Sequence, residues 1–182
     1  VQTCALPILM FFAINKIGAI AIPINTGFKS IEMDNILKNF DIDMLIMSDG
    51  YNHEYPSYIE SIIDNMRLPN SNYPRLKKIV TIGFENENCI TYSDMIKSGK
   101  KVPMEEVLEY EKNTYCNDIC IILPTSGTTG MPKGVELNNA QLIKNGLDIG
   151  DRYKLTSNDN MLIQVPMFHC FGITLSMMAA LT

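Results

Sequence analysis

At 182 residues the chain is long enough to bury one sizeable core, and an apolar share of 46% against a charged share of 19% excludes wholesale disorder, fibrous repeats and a polytopic membrane protein. A formal net charge of −5 removes the broad basic attraction of nucleic-acid-binding and anionic-lipid-binding proteins, so any phosphate must be gripped locally. Five scattered cysteines, Cys4, Cys89, Cys116, Cys120 and Cys170, lack CxxC spacing and fit neither a secreted disulfide scaffold nor a zinc site. That usage points to a reducing cytoplasm, with Cys116 in a loop and Cys120 buried in a strand.

The chain starts at Val1 and stops at Thr182 inside an apolar stretch, and so reads as truncated at both ends. The first apolar run predicts a buried helix over Leu6–Ile17 and, after Gly18, a strand over Ile20–Ile24; Asn15-Lys16 interrupts the run and no basic segment precedes it, against a signal peptide or membrane span. Met33, Ile36, Leu37 and Phe40 form a helical stripe that Ser30 can cap, followed by a strand over Ile42–Met47. Ser57 to Glu60 has capping-box spacing, and Ile59, Ile62, Ile63 and Met66 predict one further helix before a strand over Lys77–Ile82. A weak helix over Ser93–Ser98 precedes a charged connector, residues 100–117, whose acidic run reads as a solvated face. The alternation of helical and strand periods predicts an α/β fold, with sheets flanked by helices, arranged as an α/β layer over 1–99, the connector, and a chemistry-bearing segment over 118–182.

That last segment begins as a strand, Asp118-Ile-Cys-Ile-Ile-Leu123, and changes at once into Pro124-Thr-Ser-Gly-Thr-Thr-Gly-Met-Pro-Lys-Gly134. Gly127, Gly130 and Gly134 let main-chain N–H groups approach a ligand, Thr125, Ser126, Thr128 and Thr129 add hydroxyl donors, and Lys133 adds a mobile positive charge. The structural alternative is a polar hairpin turn. The density of donors, without Asn, Asp or Glu to repel phosphate, favours an anion cradle for a polyphosphate. It is not the nucleotide P-loop, because Lys133 lies between Pro132 and Gly134 and is followed by the strand-like Val135-Glu-Leu137 instead of a helix. A helix is predicted only from Asn138 or Asn139, with Leu142, Ile143, Gly146 and Leu147 inward.

Pro124 to Gly134 resembles the signature loop of the adenylate-forming, AMP-binding superfamily, which includes acyl-CoA synthetases, luciferases and adenylation domains. Val165-Pro-Met-Phe-His-Cys-Phe-Gly172, after a predicted strand over Met161–Val165, is similar to the family's Pro-x-Phe-His-x-x-Gly block, and Lys16 to Asn25 resembles its early helix-to-strand element. The run around His169 looks most like fatty acyl-CoA synthetases. The resemblance implies part of the large N-terminal domain of such an enzyme and a two-step reaction: a carboxylic acid, expected to be a fatty acid, reacts with ATP to give acyl-adenylate and pyrophosphate, and CoA then takes the acyl group. It implies phosphate contacts from Thr125, Ser126, Gly127, Thr128, Thr129, Gly130 and Lys133, and an acyl pocket or gate formed by His169, Phe168, Phe171 and Gly172. Taken alone, His169 reads better as a core histidine bonded to backbone; the resemblance reverses that order in favour of steering or gating.

The family's adenylation lysine and Mg²⁺ ligands fall in blocks absent from these residues, so no catalytic residue is named and the chain alone is expected to be inactive. Asn138-Asn139 replaces the Ser/Thr-His of many relatives, though either Asn can cap the next helix. The acidic charge argues against a nucleic-acid partner and the cysteine usage for a cytoplasmic location, with membrane association expected if the acid is long-chain. A binding module derived from such an enzyme, without catalysis, is the alternative.

Overall fold

The computed structural model describes residues 2–50, 52–125 and 132–182. Its helices and strands are, in chain order, α1 (Gln2–Lys16), α2 (Ser30–Asn39), β1 (Met44–Ser48), α3 (Tyr55–Glu60), β2 (Lys78–Ile82), β3 (Ile90–Thr91), α4 (Tyr92–Gly99), α5 (Met104–Lys112), β4 (Ile119–Thr125), β5 (Lys133–Asn138), α6 (Asn139–Tyr153), a π-helix (Phe171–Met178) and α7 (Ala179–Leu181). They divide into two compact units, one spanning Thr26–Pro103 and the other combining the residues up to Asn25 with Met104–Thr125 and Lys133–Thr182. Among the described residues no helix is long and apolar enough to cross a membrane.

In the unit Thr26–Pro103, β1, β2 and β3 form a parallel sheet in that order, with Met44 opposite Lys78, Ser48 opposite Ile82, and Val80 opposite Ile90. Parallel strands need crossover connections, and a central one is covered on both faces. β2 accordingly buries three residues in succession, Ile79, Val80 and Thr81, instead of alternating. Helix α2 buries Met33, Ile36 and Leu37 of its stripe, while Phe40, its C-cap, is half-buried, and Ser30 is its first residue and not its cap. The Lys29 N–H is closed by Glu32 Oε2 at 3.0 Å, while the Ser30 hydroxyl accepts from Ser61 at 2.8 Å.

The continuous helix predicted through Met66 is broken. It ends at Glu60, and a 3₁₀ turn over Asp64–Met66 carries Asn65 at φ 43°. Polar bonding holds Asn65 there: its amide donates to Glu87 Oε1 at 2.8 Å and its carbonyl accepts from Asn88 at 3.0 Å. Asn tolerates the left-handed region better than other side chains. Ile59, Ile63 and Met66 still reach the core, whereas Ile62 is half-buried.

The other unit is organised around β4. β5 pairs with it antiparallel, from Ile119 opposite Asn138 to Thr125 opposite Lys133, with a bulge at Cys120. On its other edge β4 meets Ala21: the Ala21 N–H donates to the Cys120 carbonyl at 3.0 Å and the Ile122 N–H to the Ala21 carbonyl at 2.9 Å. The strand predicted over Ile20–Ile24 is therefore a single rung. The next donor in a parallel ladder would be residue 23, and Pro23 has no N–H. Residues 100–117, expected as a connector, contain helix α5, and Lys16 of α1 pairs with Glu111 of α5 at 2.8 Å.

Ile121, Leu123, Leu142, Ile173, Met177 and Met178 form the apolar cluster over β4, with Phe11 and Ala21. Asn138 caps α6 in a full capping box: its side chain accepts from the Gln141 N–H at 2.8 Å and its N–H donates to Gln141 Oε1 at 2.9 Å. Of the four residues expected inward on α6, Leu142 and Gly146 are buried while Ile143 and Leu147 are exposed. The row set four residues apart is the one that meets the π-helix, because a Cβ at Gly146 would lie 2.9 Å from the Met178 carbonyl carbon. The strand predicted over Met161–Val165 pairs with none of the described strands, although burial alternates along it as in a strand. Period-two burial needs only extended chain over an apolar surface, here with Ile163 on the core cluster, whereas a strand also needs a free partner edge.

Gly172 is held by close approach: a Cβ there would press on the Pro166 carbonyl group, its carbon at 2.9 Å, and on Met167 Cα at 3.1 Å. Backbone cannot yield as a flexible side chain does, so Gly172→Ala is expected to cost about 1–3 kcal/mol, read as a lower urea midpoint; an unchanged midpoint would contradict the packing. Acid should also loosen the unit Thr26–Pro103. Lys38 and the Tyr73 hydroxyl hold Asp34 below its ordinary range, Lys77 and Arg75 do so for Asp43, and backbone N–H groups for Glu32. These groups bind protons less tightly folded than unfolded, so their contribution is complete above the ordinary carboxylate range and is lost as pH falls through and below it. The urea midpoint should therefore drop between about pH 6 and about pH 3, and Asp34→Asn with Asp43→Asn should flatten that slope.

Candidate functional site

The β4–β5 hairpin sets the geometry of the signature segment. Thr125, the last residue of β4, faces Lys133, the first of β5, and the Thr125 hydroxyl donates to the Lys133 carbonyl at 3.2 Å. Side chains opposite one another in a ladder share a face. Lys133, Val135 and Leu137 therefore lie on the same face as Thr125, Leu123 and Ile121, while Glu136, the only carboxylate of β5, lies on the other. Lys133 is exposed and makes no ion pair among the described residues. Its ammonium is thus not neutralised by its own strand.

Ser126, Gly127, Thr128, Thr129 and Gly130, the centre of the predicted cradle, lie outside the described residues. Thr125 and Lys133 are its two described members. The hairpin agrees with the reading that this segment joins two strands, unlike the strand-to-helix turn of a P-loop.

The second motif forms a turn that starts the π-helix. The His169 N–H donates to the Pro166 carbonyl at 3.1 Å, and the His169 carbonyl accepts from Gly172 at 2.9 Å and Ile173 at 3.2 Å. Its ring Nδ1 accepts the Phe171 N–H at 3.2 Å, with the Cys170 thiol 3.6 Å away. An Nδ1 that accepts this N–H leaves Nε2 to carry the ring proton, and the residue is exposed. His169 is thus backbone-bonded without being a core residue. Phe168 is half-buried, Phe171 is 51% exposed, and Gly172 is buried against the Pro166 backbone. These four residues are neighbours in the fold as well as in sequence.

The two motifs flank one apolar cluster. Leu123 lies two residues before Thr125, Met167 and Ile173 bracket His169, and all three pack in the core above β4. Cys120, as expected, is a buried strand cysteine, its thiol pushed up to about 11 by burial, and Cys116 is exposed. Among the described residues no three of His, Cys, Asp and Glu come together as a metal site. The hydroxyl bond between Thr125 and Lys133 is the feature that residue types alone did not reveal. Its signal was there in the spacing: two residues eight apart at the ends of a β-run, a loop and a second β-run.

The chain is 36% identical over 179 residues to YngI of Bacillus subtilis (strain 168), an acyl-CoA synthetase by name, covering 94% of this chain and 33% of the relative. It is 28% identical to the acyl-CoA ligase sidI of Aspergillus fumigatus, covering 98% of this chain and 30% of that one. A solved structure, the anthranilate CoA ligase AuaEII in complex with anthranoyl-AMP, is 28% identical with a TM-score of 0.56, covering 77% of this chain and 24% of that one. The N-terminal domain of FACL13 from Mycobacterium tuberculosis shares the mixed α/β fold at a TM-score of 0.59 and 21% identity, over 93% of this chain and 37% of that one. The chain spans about a third of the length of the curated relatives it matches. The family model described as AMP-binding enzyme matches residues 1–182, and the chain belongs to that family.

Proposed function

We propose that this chain is the phosphate-holding part of an enzyme, of its relatives' full length, that activates a carboxylic acid with ATP and passes the acyl group to CoA. The observation that carries this reading is the register of the β4–β5 hairpin. It sets the glycine- and hydroxyl-rich stretch between Thr125 and Lys133, with Lys133 unneutralised beside it. The names of YngI and sidI, acyl-CoA synthetase and acyl-CoA ligase, support the reaction class. A fatty acid is the acid we infer, from the likeness of Pro166 to Gly172 to the fatty acyl-CoA synthetase block and from the exposed aromatic ring of Phe171 beside His169.

The first step needs no general base, because a carboxylate is already ionised at neutral pH. Its oxygen attacks the α-phosphorus of ATP, the bond to the bridging oxygen breaks, and pyrophosphate leaves with the electron pair. The chain's task is to hold the phosphates in line and to stabilise the charge that grows on the departing group. Main-chain N–H groups at Gly127 and Gly130, the hydroxyls of Ser126, Thr128 and Thr129, and the Lys133 ammonium suit that task, with Thr125 at the start of the loop. His169, protonated at Nε2 and exposed, offers a neutral donor to a carboxylate or acyl-phosphate oxygen, which suits steering and not proton abstraction. In the second step the CoA thiol attacks the acyl carbonyl and AMP departs. The Mg²⁺ that the family resemblance implies would be held by residues outside these 182, where it would help to neutralise charge on the phosphates.

In the full-length enzyme, Lys133→Ala should slow carboxylate-dependent ATP–pyrophosphate exchange about 10²-fold while changing KM for the acid by much less, since it removes one donor to the leaving group. Equal effects on both would contradict the phosphate role. Residues 1–182 alone should show no such exchange, because they make up only a third of the relatives' length; measurable carboxylate-dependent exchange by the isolated chain would refute that.

A further inference from the structure

The β4–β5 ladder ends on the pair Thr125 and Lys133. Pro124 costs this ladder nothing by lacking an N–H: the Ile122 N–H donates to Ala21 on the far edge of β4, and position 124, two residues on, faces the same way. Pro124 faces Gly134, which adds no side-chain contact of its own. At this last pair the Thr125 side chain adds a bond of its own, its hydroxyl donating to the Lys133 carbonyl at 3.2 Å. A threonine is suited to this because its β-branched side chain is stiff about χ1 and favours the pleated strand.

A hydroxyl has a single proton to donate, and here it goes to Lys133. Phosphate oxygens need donors, so the Thr125 side chain has none left for them. We infer that Thr125 is a positioning residue. It fixes the main chain of Lys133 across the hairpin, and so the origin of the ammonium that faces the phosphates, without touching them through its own side chain. This rests on the phosphate reading of Lys133 and assigns Thr125 a different part in it. A bond that defines where a four-carbon side chain starts narrows the volume its charge samples, and misplacement of a charge-stabilising group costs rate more than affinity for a remote part of the substrate.

The test is a double-mutant cycle in the full-length enzyme, read as carboxylate-dependent ATP–pyrophosphate exchange. Thr125→Val keeps the shape and β-branching and removes only the donor; it should slow exchange about tenfold with KM for the acid unchanged, and Thr125→Ser should recover most of that loss. In the Lys133→Ala background Thr125→Val should cost less than about twofold, because it acts through the group already removed. A Thr125→Val loss as large with Lys133→Ala as without it would overturn the positioning role, as would the absence of any loss. If Lys133→Ala itself leaves exchange unchanged, the phosphate reading falls and this assignment falls with it; if Lys133→Ala is slow and Thr125→Val is not, only the assignment of Thr125 falls.

Discussion

The backbone pairing of β4 on both of its edges is the constraint on which its unit depends. On one side β5 returns antiparallel and brings Lys133 opposite Thr125; on the other, Ala21 closes a parallel rung through the Cys120 carbonyl and the Ile122 N–H. A strand satisfied on both sides can be buried, and Ile121 is wholly so. Everything that covers it follows: Leu142 of α6 and Ile173 and Met177 of the π-helix pack over Ile121 and Leu123. The bulge at Cys120 is where the ladder shifts register, so that Cys120 and Ile121 are both buried in succession.

The proposed phosphate site sits where that satisfied strand runs out. At Thr125 burial ends and the residue is exposed, so the same face that is apolar at Ile121 and Leu123 becomes hydroxyl and ammonium at Thr125 and Lys133. A rigid, buried ladder therefore delivers a polar segment to its tip, as binding loops on fixed scaffolds generally do. The second motif is built in the same way. Met167 and Ile173 are anchored in the core, Gly172 presses against the Pro166 backbone, and between them the His169 ring is turned outward by the Phe171 N–H.

Glycine has a different purpose in each of these places. At Gly146 and Gly172 the chain needs the absence of a side chain, because helix and backbone meet too closely for a Cβ. In the signature segment the residue types matter for what approaches from outside. The same letter in a sequence thus marks packing at Gly146 and Gly172 and, in the proposed function, ligand access at Gly127 and Gly130.

Much of this was legible in the residues themselves. Most of the helical stripe of α2, the capping of α6 by one of Asn138 and Asn139, the joining of two strands by the loop before Lys133, the buried Cys120 and the family all follow from local spacing and residue chemistry, which are properties of short stretches. What spacing could not supply was the partner. Ile20 to Ile24 has the composition of a strand yet contributes a single rung, because Pro23 withholds the next donor from β4. Residues 161–165 alternate in burial yet find no edge among the described strands, and Ile62 loses its place in a stripe because Asn65 is bonded to the loop at Glu87 and Asn88. Ile143 and Leu147 are left exposed because the π-helix meets α6 along the row of Leu142 and Gly146. Periodicity determines which face of an element is apolar and which loop can bind an anion; hydrogen-bond partners and close contacts between distant residues decide which of those faces is covered and what Thr125 does with its one proton.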